Sequence, residues 1–339
     1  MFASQAWVFY WAFTAKQTYQ IKPIYLRSTP MIKGLTITPP ILGRITIGKV
    51  VEKNGKRLPE KDDQFTITSQ VQGKDGWIKH PIDDKLRQNI TSGKLRQIPV
   101  RMLFNTPELN LRAEYTLFDR QTGRPLCVGN GEQCQRRTQN GVESLPCPSP
   151  ENCPLGQNNN CKVFGRLYAN LDDSDELGSF IFRTTGYNSI RTLMARLSYF
   201  NAVSGGLLSN LPLQLTIRGK STTQSYRTPI YYVDLTLQDR INLKDAVENA
   251  QAIHAEQVKS GFNQQALEDV AKLGYANSAF EMDGDDGMSI VEEFYNDTTD
   301  INTDANQLPQ TQSFHSDDVP PEYWQPMEQG LRQSVRKVS

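Results

Sequence analysis

Residues 127–161 read CVGNGEQCQRRTQNGVESLPCPSPENCPLGQNNNC and hold all five cysteines of a 339-residue chain: Cys127, Cys134, Cys147, Cys153 and Cys161. Gly129, Gly131, Pro146, Pro148, Pro150, Pro154 and Gly156 are interspersed, so neither a helix nor a central strand is expected to persist there. A polar excursion of this length has little core of its own and needs another fastening. Zinc supplies one, because thiolates converging on a tetrahedral ion turn binding energy into folding energy. One zinc ion is therefore expected, held by Cys134, Cys147, Cys153 and Cys161, with Cys127 as the alternative ligand. The intervals are wider than the usual spacing of about two to four residues between paired ligands. Two other readings stand beside zinc. Disulfides would require export and leave one thiol over, while inert buried thiols would scatter along the chain instead of clustering.

On either side of this stretch the chain reads as strands. Residues 41–51 (ILGRITIGKVV) alternate apolar and polar positions, and Asn54-Gly55 suits the positive φ angles of a hairpin turn. Residues 63–72 give a second strand with Phe65, Ile67 and Val71 as core candidates. Residues 97–104 and 110–119 give two more, with a turn at 120–124, and 162–171 and 178–184 resume the pattern beyond the cysteines. Residues 185–203 form the clearest helix, with Asn188 or Ser189 as cap and Ile190, Leu193, Met194, Leu197 and Phe200 at helical spacing. Strands at 211–218 and 227–238 and helices at 242–258 and 264–273 follow. The expected fold is α+β: a barrel or sandwich-like body over 31–240 carrying the zinc loop 127–161, a helical segment at 241–275, and a disordered acidic tail at 276–339.

The formal net charge of zero is a sum of opposed parts. Residues 31–240 carry 28 Lys/Arg against 19 Asp/Glu, residues 241–339 carry 6 against 18, and residues 1–30 carry 3 and no acid. A basic body with an acidic tail fits a protein that meets a polyanion with one part and regulates the meeting with the other. The apolar run at residues 1–15 is too short to span a membrane, and no basic residue precedes it as in a secretory signal. A cytoplasmic protein with no membrane role is expected, and residues 1–30 are expected to be a leader, with Met31 as the alternative start.

Several chemistries are excluded by spacing. No Gly-Lys-Ser/Thr completes a phosphate-binding loop. Gly129-Asn-Gly131 begins a dinucleotide fingerprint that fails at Cys134, where the third glycine belongs. Aligning Gly287 with the glycine of a calcium loop puts Met282 and Gly284 at ligand positions. His80, His254 and His315 lie in unrelated contexts with no paired nucleophile. An all-cysteine zinc site also lacks the open position that a hydrolase needs. A non-enzymatic protein without a small-molecule substrate is expected.

Basic and aromatic residues interleave through the body: Lys162, Phe164, Arg166 and Tyr168; Phe180, Phe182, Arg183 and Tyr187; Arg218, Lys220, Tyr226 and Arg227. With Arg136 and Arg137 in the cysteine stretch and Arg191 and Arg196 on the helix, these cations are the candidate contacts to nucleic acid. Guanidinium groups meet phosphate and rings stack on bases. The same interleaving arises when alternate strand residues simply face core and solvent.

Three segments carry a family resemblance: GRITIGKVVEKNGKRLPEKDDQFTITS (43–69), PCPSPENCPLGQNNNCKVFGRL (146–167) and GSFIFRTTGYNSIRTL (178–193). Over about residues 41–240 the chain resembles the recombination directionality factors of phage large serine integrases. The resemblance implies a protein that binds the integrase and switches it from integration to excision by protein–protein contact. Expected partners are recombinase or replication proteins, and DNA. Cys127 and the long acidic tail depart from the family pattern. The alternative reading is a single-stranded-DNA-binding protein with a zinc-stabilised barrel and a regulatory acidic tail.

Overall fold

The computed structural model describes residues 40–275, apart from 54–55, 74–75, 89, 91–92, 172–177, 222, 224–226 and 228, together with residues 284–295. The expected leader and the expected tail at 276–283 and 296–339 lie outside the described residues.

The chain opens with two long antiparallel strands, β1 (Ile41–Lys53) and β2 (Lys56–Gly73), paired from Gly43–Ser69 out to Lys53–Lys56. The Asn54-Gly55 turn itself lies outside the described residues. β3 (Gly76–Lys79) and the eight-residue helix α1 (Pro81–Gln88) follow; the helix was not anticipated. Next come β4 (Gln97–Val100), the short α2 (Pro107–Asn110) and β5 (Leu111–Phe118). The stretch expected to be an irregular loop is mostly regular. It holds β6 (Pro125–Gly129), β7 (Gln133–Thr138), β8 (Gly141–Pro146), α3 (Ser149–Asn152) and a 3-10 segment, Pro154–Asn159. The prolines sit at β-strand ends, at helix starts and on the edge strand β8, where no ladder bond is lost.

β9 (Cys161–Ala169), β10 (Ser179–Thr184), α4 (Tyr187–Val203), β11 (Leu213–Lys220), β12 (Ile230–Leu237), α5 (Leu243–Ser260), α6 (Gln264–Gly274) and α7 (Gly284–Phe294) complete the chain. Nine strands form one sheet in the order β3-β2-β1-β10-β9-β5-β6-β7-β8, antiparallel except for β1 beside β10. A second sheet has the order β12-β11-β4. The fold is α+β as expected, but the barrel is not: among the described residues no pairing joins β3 to β8 to close the large sheet.

Alternation sorts the large sheet into two faces. Ile45, Ile67, Phe180, Phe182, Leu167 and Leu111 point to one side and share a core with Ile98, Val100, Leu213, Leu215, Val233 and Leu235 of the small sheet. Leu193, Leu197 and Phe200 of α4 and Ala246 and Ala250 of α5 close this core. The other side carries Arg44, Ile181, Arg183, Arg166, Tyr168, Phe164 and Phe118, and is covered by α6 and α7. Val71, expected in the core, is 59% exposed, beyond Ser69, where the pairing of β2 with β1 ends.

The caps differ in part from expectation. α4 begins after Gly186 with no side-chain cap; Ser189 Oγ accepts the Val233 N–H (3.1 Å), and Asn188 Oδ1 accepts Lys220 Nζ (2.7 Å). Ser189 thus covers the edge of β12 instead of its own helix end. Ile190 packs so closely on β9 that a Cβ at Gly165 would stand 2.7 Å from its Cγ1. Asn242 and Asn263 cap α5 and α6 by accepting the Asp245 and Ala266 N–H groups. The expected tail from residue 276 is helical over α7, whose Ile290 and Val291 are buried together with Tyr295 just past its end. Its stripe of apolar residues overrides the acidic composition around it.

Candidate functional site

Strand pairing gathers the cysteines. Leu117 on β5 lies opposite Cys127 on β6 and, on its other side, opposite Cys161 on β9. Cys127 faces Arg136 on β7, and Gly129 faces Cys134. Residues directly opposite in an antiparallel pair project to the same side, so Cys127, Cys134 and Cys161 share one face. Cys147 joins from the end of β8: its N–H donates to the Glu132 carbonyl (2.9 Å). A Cβ at Gly129 would stand 2.9 Å from Cys147 Sγ and 2.7 Å from Cys134 Cβ, so only glycine leaves room for both. Cys153 sits at the junction of α3 and the 3-10 segment. All five are free thiols.

The thiols act on one another. Burial pushes Cys161 up to about 12, and Cys127, Cys153, Cys147 and Cys134 add to the shift. Burial also pushes Cys134 up to about 12, followed by the charge and hydrogen bond of Cys127. For Arg136 burial alone would lower the pKa, but the hydrogen bond to Cys127 and the charges of Cys127, Cys134 and Cys153 raise it. The donor set suits a thiolate-seeking ion such as zinc. Leu117 stands between Cys127 and Cys161, whose Cα atoms are two strand spacings, roughly 10 Å, apart. Among the described residues no group of three or more His, Cys, Asp or Glu side chains is arranged to hold a metal ion.

The ten candidate nucleic-acid contacts divide among three places. Arg136 and Arg137 lie on β7, the first half-buried beside the thiols and the second exposed. Arg191, Arg196, Arg218, Lys220 and Arg227 belong to α4, β11 and the following turn. Arg196 and Arg218 pair with the same carboxylate, Asp234, at 3.0 and 3.2 Å. Tyr187 and Tyr199 of α4 are exposed nearby in sequence.

Lys162, Arg166 and Arg183 lie on the covered face instead. Arg166 and Arg183 are only 5% and 7% exposed. Arg183 and Arg112 both lie opposite Arg166, so three guanidinium groups cross adjacent strands β10, β9 and β5. Glu114 accepts from Arg166 (2.6 Å) and Arg112 (2.9 Å). Arg44 on β1, missed as a site residue because alternation assigned it to solvent, stacks on Trp77 at 3.7 Å and donates to Ser289 Oγ of α7 (3.1 Å). Lys162 Nζ donates to the Phe294 carbonyl (3.2 Å). Burial raises the Glu293 carboxyl, while Arg183 and Arg44 pull it down. The sequence signal for this contact was the pair of apolar doublets Ile290-Val291 and Phe294-Tyr295, one helical turn apart.

No curated protein and no solved structure matches the chain. A family model does: residues 42–238 match Gp3-like, recombination directionality factor-like. The match runs from β1 to the end of β12 and takes in both sheets and all five thiols. It covers more than half of the 339 residues, and the chain belongs to the recombination directionality factor-like family of phage recombination accessory proteins.

Proposed function

We propose that this protein binds a large serine integrase and switches it from integration to excision, by contact and without chemistry of its own. The family match over residues 42–238 carries the reading. Added to purified integrase in the absence of DNA, the protein is expected to co-elute with it as a complex. In a recombination assay it is expected to start excision between hybrid sites and suppress integration. An integrase that neither co-elutes nor changes direction in its presence rejects the proposal.

One zinc ion is part of the same reading. Cys134, Cys147, Cys153 and Cys161, or Cys127 in place of one of them, would move inward to bind it and pin β6, β7 and β8 to the body. The shared face of the thiols supports this. Elemental analysis of protein purified without chelator is expected to give about one zinc per chain, in line with an all-thiolate structural site. Cys147→Ser should lose the metal and lower the melting temperature. Protein without zinc, equally stable with serine at 147, rules the ion out.

The exposed group on α4 and β11 favours a second role, contact with DNA inside the recombination complex. Arg191, Arg218 and Lys220 are exposed there beside Tyr187 and Tyr199. Binding through such a surface falls steeply with salt. A flat salt dependence, or unchanged binding in a triple alanine variant of those cations, excludes it.

A further inference from the structure

Helix α7 sits in a seat with two kinds of contact. The apolar part is Phe118 and Phe164, edge to face at 5.7 Å, under Ile290, Val291 and Tyr295. Tyr295 Oη donates to the Thr116 carbonyl (3.1 Å), and the Phe294 ring lies 5.9 Å from Phe164. The polar part is a hydrogen bond from Arg44 to Ser289, another from Lys162 to the Phe294 carbonyl, and the charge of Arg183 acting on Glu293. Asp285, Asp286, Glu292 and Glu293 give α7 its charge, and it has no Lys or Arg. An apolar groove flanked by cations is the chemistry that receives an acidic amphipathic helix.

Seat and occupant differ in one respect. Arg44, Phe118, Lys162, Phe164 and Arg183 all fall within the family match, whereas α7 lies beyond its end at residue 238. An eleven-residue helix is also marginal by itself, so its hold depends on the seat. We infer that the seat is a docking site for an acidic amphipathic helix of the recombinase, which α7 occupies in cis and which the recombinase claims by displacing it. The inference rests on the recombinase-binding reading above.

Two full-length variants test it. Gly287 abuts Gly123 so closely that a Cβ at 287 would overlap the Gly123 carbonyl; Gly287→Leu is therefore expected to unseat α7. Ile290→Asp does the same from within the apolar contact. The probes are a labelled synthetic peptide of residues 284–295 and the purified integrase. Where α7 fills the seat about nine-tenths of the time, unseating it raises affinity for either probe about ten-fold. Lys162→Glu added to either variant should cancel the gain. Unchanged integrase affinity in a variant that binds the peptide more tightly overturns the inference and leaves integrase binding itself intact. Failure of every form, wild type included, to bind integrase strikes the recombinase reading instead. A gain for a single-stranded oligonucleotide and none for integrase also overturns it, and makes the seat a nucleic-acid surface. A variant that melts well below wild type is set aside for the other. Should both melt, competition decides: excess peptide must displace integrase from the wild-type protein, and failure to do so overturns the inference.

Discussion

Asp83→Ala is expected to destabilise the protein by about 3–5 kcal/mol, the range for removing one partner of a buried ion pair. The Asp83 carboxylate is fully buried at the start of α1. One oxygen accepts the Ile67 N–H of β2 (2.9 Å) and the other accepts Arg87 Nε (2.7 Å). Arg87 in turn donates to the Phe65 carbonyl (2.6 Å), to Gln64 (2.9 Å) and to the Gly93 carbonyl (3.2 Å). Alanine would strand the Ile67 N–H and the Arg87 Nε–H and leave the guanidinium charge without its counterion. The pair is what fastens α1 to the back of β2, since the helix contributes little apolar area beyond Ile82 and Leu86. Urea unfolding with an unchanged slope would report the loss. A change under about 1 kcal/mol, the size of an exposed ion pair, would show that solvent replaces the carboxylate without difficulty.

Phe164→Ala is expected to destabilise by about 3–5 kcal/mol, as for other fully buried aromatic side chains. Its ring is completely enclosed between Phe118 of the sheet and Phe294 beyond it. The loss should fall unevenly. Part is the cavity in the sheet, and part is the anchorage of α7, whose backbone amides should exchange with solvent faster while those of β5 and β9 stay protected. Equal acceleration across all three elements would mean that α7 and the sheet open as one unit.

Much of the core was legible because its period is short and its sides differ. Phe65 and Ile67 and the stripe on α4 follow from alternation and helical spacing, both of which act within a few residues. What alternation cannot say is which face of a strand meets solvent. Lys162, Phe164, Arg166 and Tyr168 share one side of β9, and that side is roofed, so of residues with the look of an open cationic surface the last three lie buried and Lys162 half-buried. The roof arrives from residues 284–295, more than a hundred positions away, in a stretch whose composition reads as solvated. α1 escaped notice because eight residues with two apolar positions give no period to detect. Among the cysteines, sequence proximity was a guide to gathering but not to strand order: β5 comes between Cys127 and Cys161, with Leu117 opposite both.

The one parallel joint, β1 beside β10, has a bearing on how the chain is made. Residues 41–73 can zip into a ribbon soon after leaving the ribosome, since their contacts are local. Their sheet-side neighbour, residues 179–184, emerges well over a hundred codons later. Until then one long flank of the ribbon lacks its neighbour, and Gly43 and Ile45, which will meet Phe180 and Phe182, are bare. The nascent protein therefore passes through an interval in which an unfinished β-edge needs guarding against association with other chains.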